Sequence, residues 1–165
     1  MDGILLSNME VKIYTDGACS GNPGRGGCAC ILLYKEHRKQ FSESYKHTTN
    51  NRMELRAVLM GLVNLKTKDK KVIIYSDSMY VVNSINKRWV FEWEKTAFSG
   101  RANSDLWIQF LELYKEFKEI EMVWVKGHNG DEENENCDVL ATSVIKNSLV
   151  PAKEDVGYIE KTNKK

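Results

Sequence analysis

The chain reads as a mixed α/β domain: a five-stranded sheet, partly antiparallel and partly parallel, flanked by helices. Three observations predict it. From Met9 to Thr15 apolar and polar side chains alternate at strand spacing, and a turn cluster then leads into two more strand-like runs that end at Tyr45. After Asn51 the apolar period becomes helical, and helical and strand-like segments then take turns. Three strands followed by helix–strand–helix–strand–helix place an antiparallel meander beside parallel strands joined by helical crossovers.

Met9, Val11, Ile13 and Thr15 alternate with Glu10, Lys12 and Tyr14, so the first strand is half-buried. Gly21-Asn22-Pro23-Gly24-Arg25-Gly26-Gly27 is a turn cluster that leads into a second strand, Cys28–Tyr34, and a third over Lys39–Tyr45. Leu55, Val58, Leu59, Leu62 and Leu65 mark a helix from Asn51 to Lys66. Val72–Tyr75 is apolar without alternation, as a central buried strand would be. Ser78–Asn86 reads as a helix, and Ser104 caps a longer one striped by Leu106, Phe110, Leu113 and Phe117. Ile120–Val125 is the fifth strand and Asp131–Asn147 the last helix.

With 165 residues, 42% of them hydrophobic, the chain fits a single domain, with a core from about residue 9 to 147 and a C-terminal tail over 148–165. No apolar run approaches the ~18 residues of a membrane span. Ile4-Leu5-Leu6 lacks a basic start and a cleavage signal and reads as a frayed end. A cytoplasmic monomer without membrane contact is expected. Cys19, Cys28, Cys30 and Cys137 show neither a CxxC pair nor a Cys/His ligand spacing, so they are expected to be buried thiols. The net charge of +1 excludes a strongly basic coat, but Lys66–Lys71 and Lys87–Arg101 are locally positive and Asp131–Glu135 is strongly negative.

Four carboxylates carry the chemistry: Asp16, Glu54, Asp77 and Asp138. Asp16 is expected at the end of strand one and Asp77 just after strand four. If those strands are parallel neighbours, both acids emerge side by side at the carboxyl edge of the sheet, where sites collect in open α/β folds. Glu54 lies in the first turns of a helix, and Asp138 shares a helical face with Asn134 and Glu135. Gathered acids repel one another, and Mg²⁺ relieves this with a few carboxylates plus water and substrate phosphate. Such a site suits phosphoryl chemistry. Ordinary explanations stand beside this one: an Asp16-Gly17 turn, Asp77 as a helix N-cap, Glu54 as an exposed helical acid. His128, in Lys126-Gly127-His128-Asn129-Gly130, can change charge near neutral pH.

Five ordered segments carry a resemblance: TDGACSGNPGRGG (15–27), TTNNRMEL (48–55), YSDSMYV (75–81), ANSDLW (102–107) and WVKGHNGDEENENCDVLA (124–141). Together with the EDVGY ending (154–158), they resemble type 1 ribonuclease H, and bacterial ribonuclease HI in particular. The resemblance implies the ribonuclease H-like fold, with sheet order 3-2-1-4-5, and hydrolysis of the RNA strand of RNA–DNA hybrids to 5′-phosphate and 3′-hydroxyl ends. It implies that Asp16, Glu54, Asp77 and Asp138 hold two Mg²⁺, Mn²⁺ being a possible substitute. One ion would lower the pKa of the attacking water, and the other would stabilise the departing 3′-oxygen. His128 would help proton transfer or product departure, and Glu135 would assist near the ions.

By the same resemblance Gly17, Ala18, Cys19, Asn22, Asn50, Asn51 and Ser78 would meet the substrate, most of them along the minor groove, where the 2′-hydroxyl separates RNA from DNA. Thr49 and Asn103 would grip a phosphate of the DNA strand. Lys87, Arg88, Trp89, Trp93 and Lys95 match a basic, tryptophan-bearing protrusion suited to phosphate contact and stacking. Core packing is the plainer role for one tryptophan, Trp89 being the expected one. Three departures stand out: Met79 and His47 replace a polar residue and an arginine of better-known members, and the protrusion is short and carries Glu92 and Glu94. Weaker and more salt-sensitive hybrid binding is expected. Other nucleases of the same fold, and a non-catalytic hybrid-binding module, are the competing readings.

Overall fold

The computed structural model describes residues 10–127 and 130–158. The expectations for the patch before Glu10 and for His128 fall outside that range. Five strands form one sheet: β1 (Val11–Ser20), β2 (Gly24–Tyr34), β3 (His37–Thr48), β4 (Lys71–Ser76) and β5 (Glu119–Trp124). Their order is β3-β2-β1-β4-β5. β1–β2 and β2–β3 pair antiparallel, as the meander predicts, and β1–β4 and β4–β5 pair parallel, in the order that the resemblance implies.

Five helices are described: α1 (Asn50–Val63), α2 (Met79–Asn86), α3 (Trp89–Lys95), α4 (Ser104–Glu116) and α5 (Glu132–Lys146). Alternation along β2 decides which face each helix covers. Cys28, Cys30 and Leu32 join the large core with Leu55, Val58 and Leu62 of α1, whereas Ala29 and Ile31 meet Cys137 and Ala141 of α5. Each fully buried aliphatic side chain of α1 contributes roughly 1.5–3 kcal/mol relative to an exposed one. All four cysteines are free thiols, and three are buried.

Several boundaries differ from the sequence reading. Strand one runs on to Ser20 because 16–20 pairs with 25–29 of β2, so the turn cluster shrinks to residues 21–23. Asp16 therefore lies inside a strand, and the turn explanation falls away. Its parallel partner strand stops earlier, the β1–β4 ladder ending at Tyr14–Tyr75. Ser78, not Asp77, caps α2, its Oγ accepting from the Val81 N–H at 3.2 Å. Ser104 is the first residue of α4, and the cap position is Asn103, in the left-handed region at φ 63. α3, seven residues inside the basic protrusion, was not anticipated. It buries Val90 and seats Trp93 against the core, while Trp89 remains 42% exposed. The packing role thus belongs to Trp93.

Candidate active site

The acids gather because three elements end or start at one sheet edge. β1 carries Asp16 just past the last β1–β4 pair, and Asp77 follows β4 directly. The Thr15 hydroxyl donates to the Tyr75 carbonyl at 3.0 Å and locks the two strands in register there. α1 starts with Thr49 as its N-cap, the hydroxyl accepting from the Arg52 N–H at 3.3 Å. That start places Glu54 one turn in, over β1. The Gly17 N–H then donates to both Asp16 Oδ1 (3.0 Å) and Glu54 Oε1 (3.1 Å), joining strand and helix.

Oxygens of Asp16, Glu54 and Asp77 lie within 4.8 Å of one another. Asp16 and Glu54 are each only 4% exposed. Burial, then the charge of Asp77 and a hydrogen bond with Asp138, pushes the Asp16 carboxyl up to about 8. Glu54 is raised well above the usual carboxylate range, first by burial and then by Asp16 and Asp77. Its Oε2 is buried without a hydrogen-bond partner. A buried carboxylate with one orphaned oxygen, set beside two further carboxylates, is what a hard divalent cation would satisfy. The donor set fits such an ion.

Asp138 joins the group from α5 and bounds the same cavity, of about 420 Å³. Gly17, Asn50 and Asn51 form one wall, and Ser78, Met79 and Tyr80 another. The Asn22 Oδ1 accepts from the Asn50 N–H at 3.1 Å, which ties the β1–β2 turn to the start of α1. Tyr80 was not singled out in the sequence. Its hydroxyl accepts from Asn103 Nδ2 (3.0 Å) and Trp107 Nε1 (2.8 Å), a signal no local spacing contains. Glu135 is exposed on α5, and Lys87, Arg88 and Trp89 project from the segment around α3.

The ribonuclease H family pattern matches residues 8–146. Ribonuclease H of Desulforamulus reducens is 48% identical over 147 residues, which cover 86% of this chain and 91% of that protein. The chain belongs to the ribonuclease H family. Ribonuclease HI of Haemophilus influenzae is 49% identical over 156 residues, covering 92% and 97% of the two chains. The bacterial type 1 form is therefore the one it represents, and this ribonuclease H is an enzyme. Among solved structures, LC9-RNase H1, a type 1 RNase H with the type 2 active-site motif, superposes with a TM-score of 0.74 at 28% identity. That match covers 83% of this chain and 72% of the other.

Close approach explains one residue of this ribonuclease H that the acids depend on. A Cβ on Gly17 would overlap the backbone of Met53 and Glu54. Gly17→Ala must therefore push α1 off β1 and move Glu54 away from Asp16. We expect it to cost about 1–3 kcal/mol of stability, as overpacking does, and to lower kcat; thermal melts and a steady-state assay check both.

Proposed function

We propose that this chain is an endonuclease that hydrolyses the RNA strand of RNA–DNA hybrids, leaving 5′-phosphate and 3′-hydroxyl ends. The observation that carries the reading is the buried cluster of Asp16, Glu54 and Asp77, joined by Asp138, in a cavity walled by Asn50 and Asn51. Names borne by relatives at 48–49% identity support it. Those four acids would hold two Mg²⁺ ions. When bound, the ions supply Lewis-acid activation of water and stabilise charge on the leaving oxygen. Attack of water on phosphorus breaks the bond to the 3′-oxygen, which leaves as the hydroxyl. His128 would carry a proton away from the water or toward the product, and Glu135 would assist at the cavity mouth.

Selection of RNA would rest on Gly17, Ala18, Cys19, Asn22, Asn50, Asn51 and Ser78. Most of these are small or amide residues that admit a close backbone and offer paired donors and acceptors to a 2′-hydroxyl. Thr49 and Asn103 would face a DNA-strand phosphate, with Lys87, Arg88, Trp89 and Lys95 further along the duplex. The chain would act as a single-domain monomer in the cytoplasm. Among the described residues no helix is long and apolar enough to cross a membrane. Comparing labelled RNA–DNA, DNA–DNA and RNA–RNA duplexes in Mg²⁺ tests the reading. Cleavage of the RNA strand in the hybrid alone is expected, and cutting of DNA duplexes would assign the chain to another nuclease class.

The protrusion changes one expectation. Glu92 pairs with Lys95 at 3.2 Å, and Glu94 with Lys115 at 3.4 Å. A lysine neutralised in this way releases no counterion, and each phosphate contact is worth ~0.9 in the slope of log K against log salt. Hybrid binding should thus be weak but less salt-sensitive, the reverse of the earlier expectation for salt. Glu92→Gln, which frees Lys95, should tighten binding and steepen the slope by roughly 0.9. A salt titration by fluorescence anisotropy measures both.

A further inference from the structure

The segment from Lys153 to Tyr158 is built into the molecule. The Lys153 N–H donates to the Ser44 carbonyl at 2.8 Å, and its own carbonyl accepts from the Lys46 N–H at 2.8 Å, so the tail bridges to β3. Two residues on, the Asp155 side chain is fully buried. It accepts from Arg52 Nε (2.7 Å) and Nη2 (3.0 Å), from Arg56 Nε (3.0 Å) and from the Thr48 hydroxyl (2.5 Å). Arg52, itself buried, turns its other edge to Asp105 at 2.8 and 2.7 Å. Its Nη1 also reaches Asn103 Oδ1 at 3.4 Å. Asn103 continues to the Tyr80 hydroxyl, at the wall of the acid cavity. Gly157, at φ +95, lies so close to Asp105 that a Cβ would overlap Oδ2.

We propose that Asp155 is a positioning residue for hybrid cleavage, acting through Arg52 on the first turn of α1 and on Asn103. The proposal rests on the reading that Asn50, Asn51 and Asn103 meet the hybrid. Arg52 belongs to the same helical turn as Asn50 and Asn51 and lies two residues from Glu54. Two-pronged contacts on both edges of a planar guanidinium fix its angle as well as its place. Arg52, Arg56, Asp105 and Asp155 balance in charge, and a buried cluster of this kind can often be exchanged for apolar packing with little loss of stability. What apolar packing would not reproduce is the directional hold on this one turn.

The test separates position from stability. Steady-state kinetics on a labelled hybrid in Mg²⁺, well below each melting temperature, are combined with hydrogen exchange at the Asn51, Arg52 and Met53 amides. Asp155→Asn should raise KM roughly tenfold, short of the ~10²-fold that a 1 Å misplacement can cost. Its kcat should stay near the wild-type value, and the three amides should exchange faster. Asp155→Glu should recover part of the KM. Ile31→Val, in β2 on the opposite face of the sheet, should lower the melting temperature and leave KM and exchange unchanged. Should Asp155→Asn not fold, Gly157→Ala, which presses on Asp105, supplies the same comparison. A lower melting temperature with wild-type KM and exchange would overturn the proposal. If the unaltered chain cut no hybrid, the substrate reading would fall first, and exchange alone would decide the positioning role.

Discussion

Asp16→Asn should reduce hybrid cleavage to background, by roughly 10²–10³-fold or more, while making the metal-free protein more resistant to heat. Both effects have one origin. Asp16 is buried against Glu54, Asp77 and Asp138, and its folded pKa stands at about 8, against an unfolded value of about 3.9. Between those limits the folded state holds a proton that the unfolded state releases. Stability of the metal-free chain therefore falls as pH rises through that window, by up to about 1.4 kcal/mol per pH unit. The amide removes that loss along with a cation ligand. The melting temperature of Asp16→Asn should exceed that of the wild type in EDTA, by a margin that widens from pH 5 to pH 8. Adding Mg²⁺ should close the gap by stabilising the wild type alone. A large drop in melting temperature without metal would recast Asp16 as a structural residue.

Arg52→Ala should produce the greatest loss of stability of any substitution considered, about 3–5 kcal/mol, the usual cost of removing one partner from a buried ionic cluster. Asp155 would keep Arg56, but Asp105 would lose both of its short contacts to Arg52. Burial alone would raise the two acids; Arg52 on Asp105, and Arg52, Thr48 and Arg56 on Asp155, hold them below the ordinary carboxylate value. Depressed folded pKa values mean that this stabilisation is complete above about pH 4 and is lost as pH falls through the folded values. The wild type should thus unfold in acid more steeply than the variant, whose deficit is already present at neutral pH. Urea unfolding at pH 7 and pH 3 reads both quantities.

Most of the sheet and its acids could be read from local pattern. Alternation over 9–15 and the helical leucines of α1 each report burial within a few residues, but the β1–β4 adjacency that brings Asp16 and Asp77 to one edge was implied only by the family resemblance. The boundaries that moved share a cause. Asp16–Ser20 looks like a turn because its residues are small or polar, yet its conformation is set by pairing with β2. α3 hid inside a segment whose charges suggested only a surface. Trp89 and Trp93 exchanged roles because a seven-residue helix, rather than composition, determines which ring faces inward. Nothing local marks Arg52 and Asp155 as partners: they are 103 residues apart, and their contact exists only once the tail crosses β3 and reaches the start of α1.

The most direct measurement is the initial rate of RNA-strand cleavage in a labelled hybrid as Mg²⁺ is titrated from none into excess. With the four carboxylates as ion ligands, the rate is zero in EDTA and rises with Mg²⁺ until both sites fill. Cutting that persists at full rate in EDTA would contradict the account, because the acids would then be working without the ions that make their closeness tolerable.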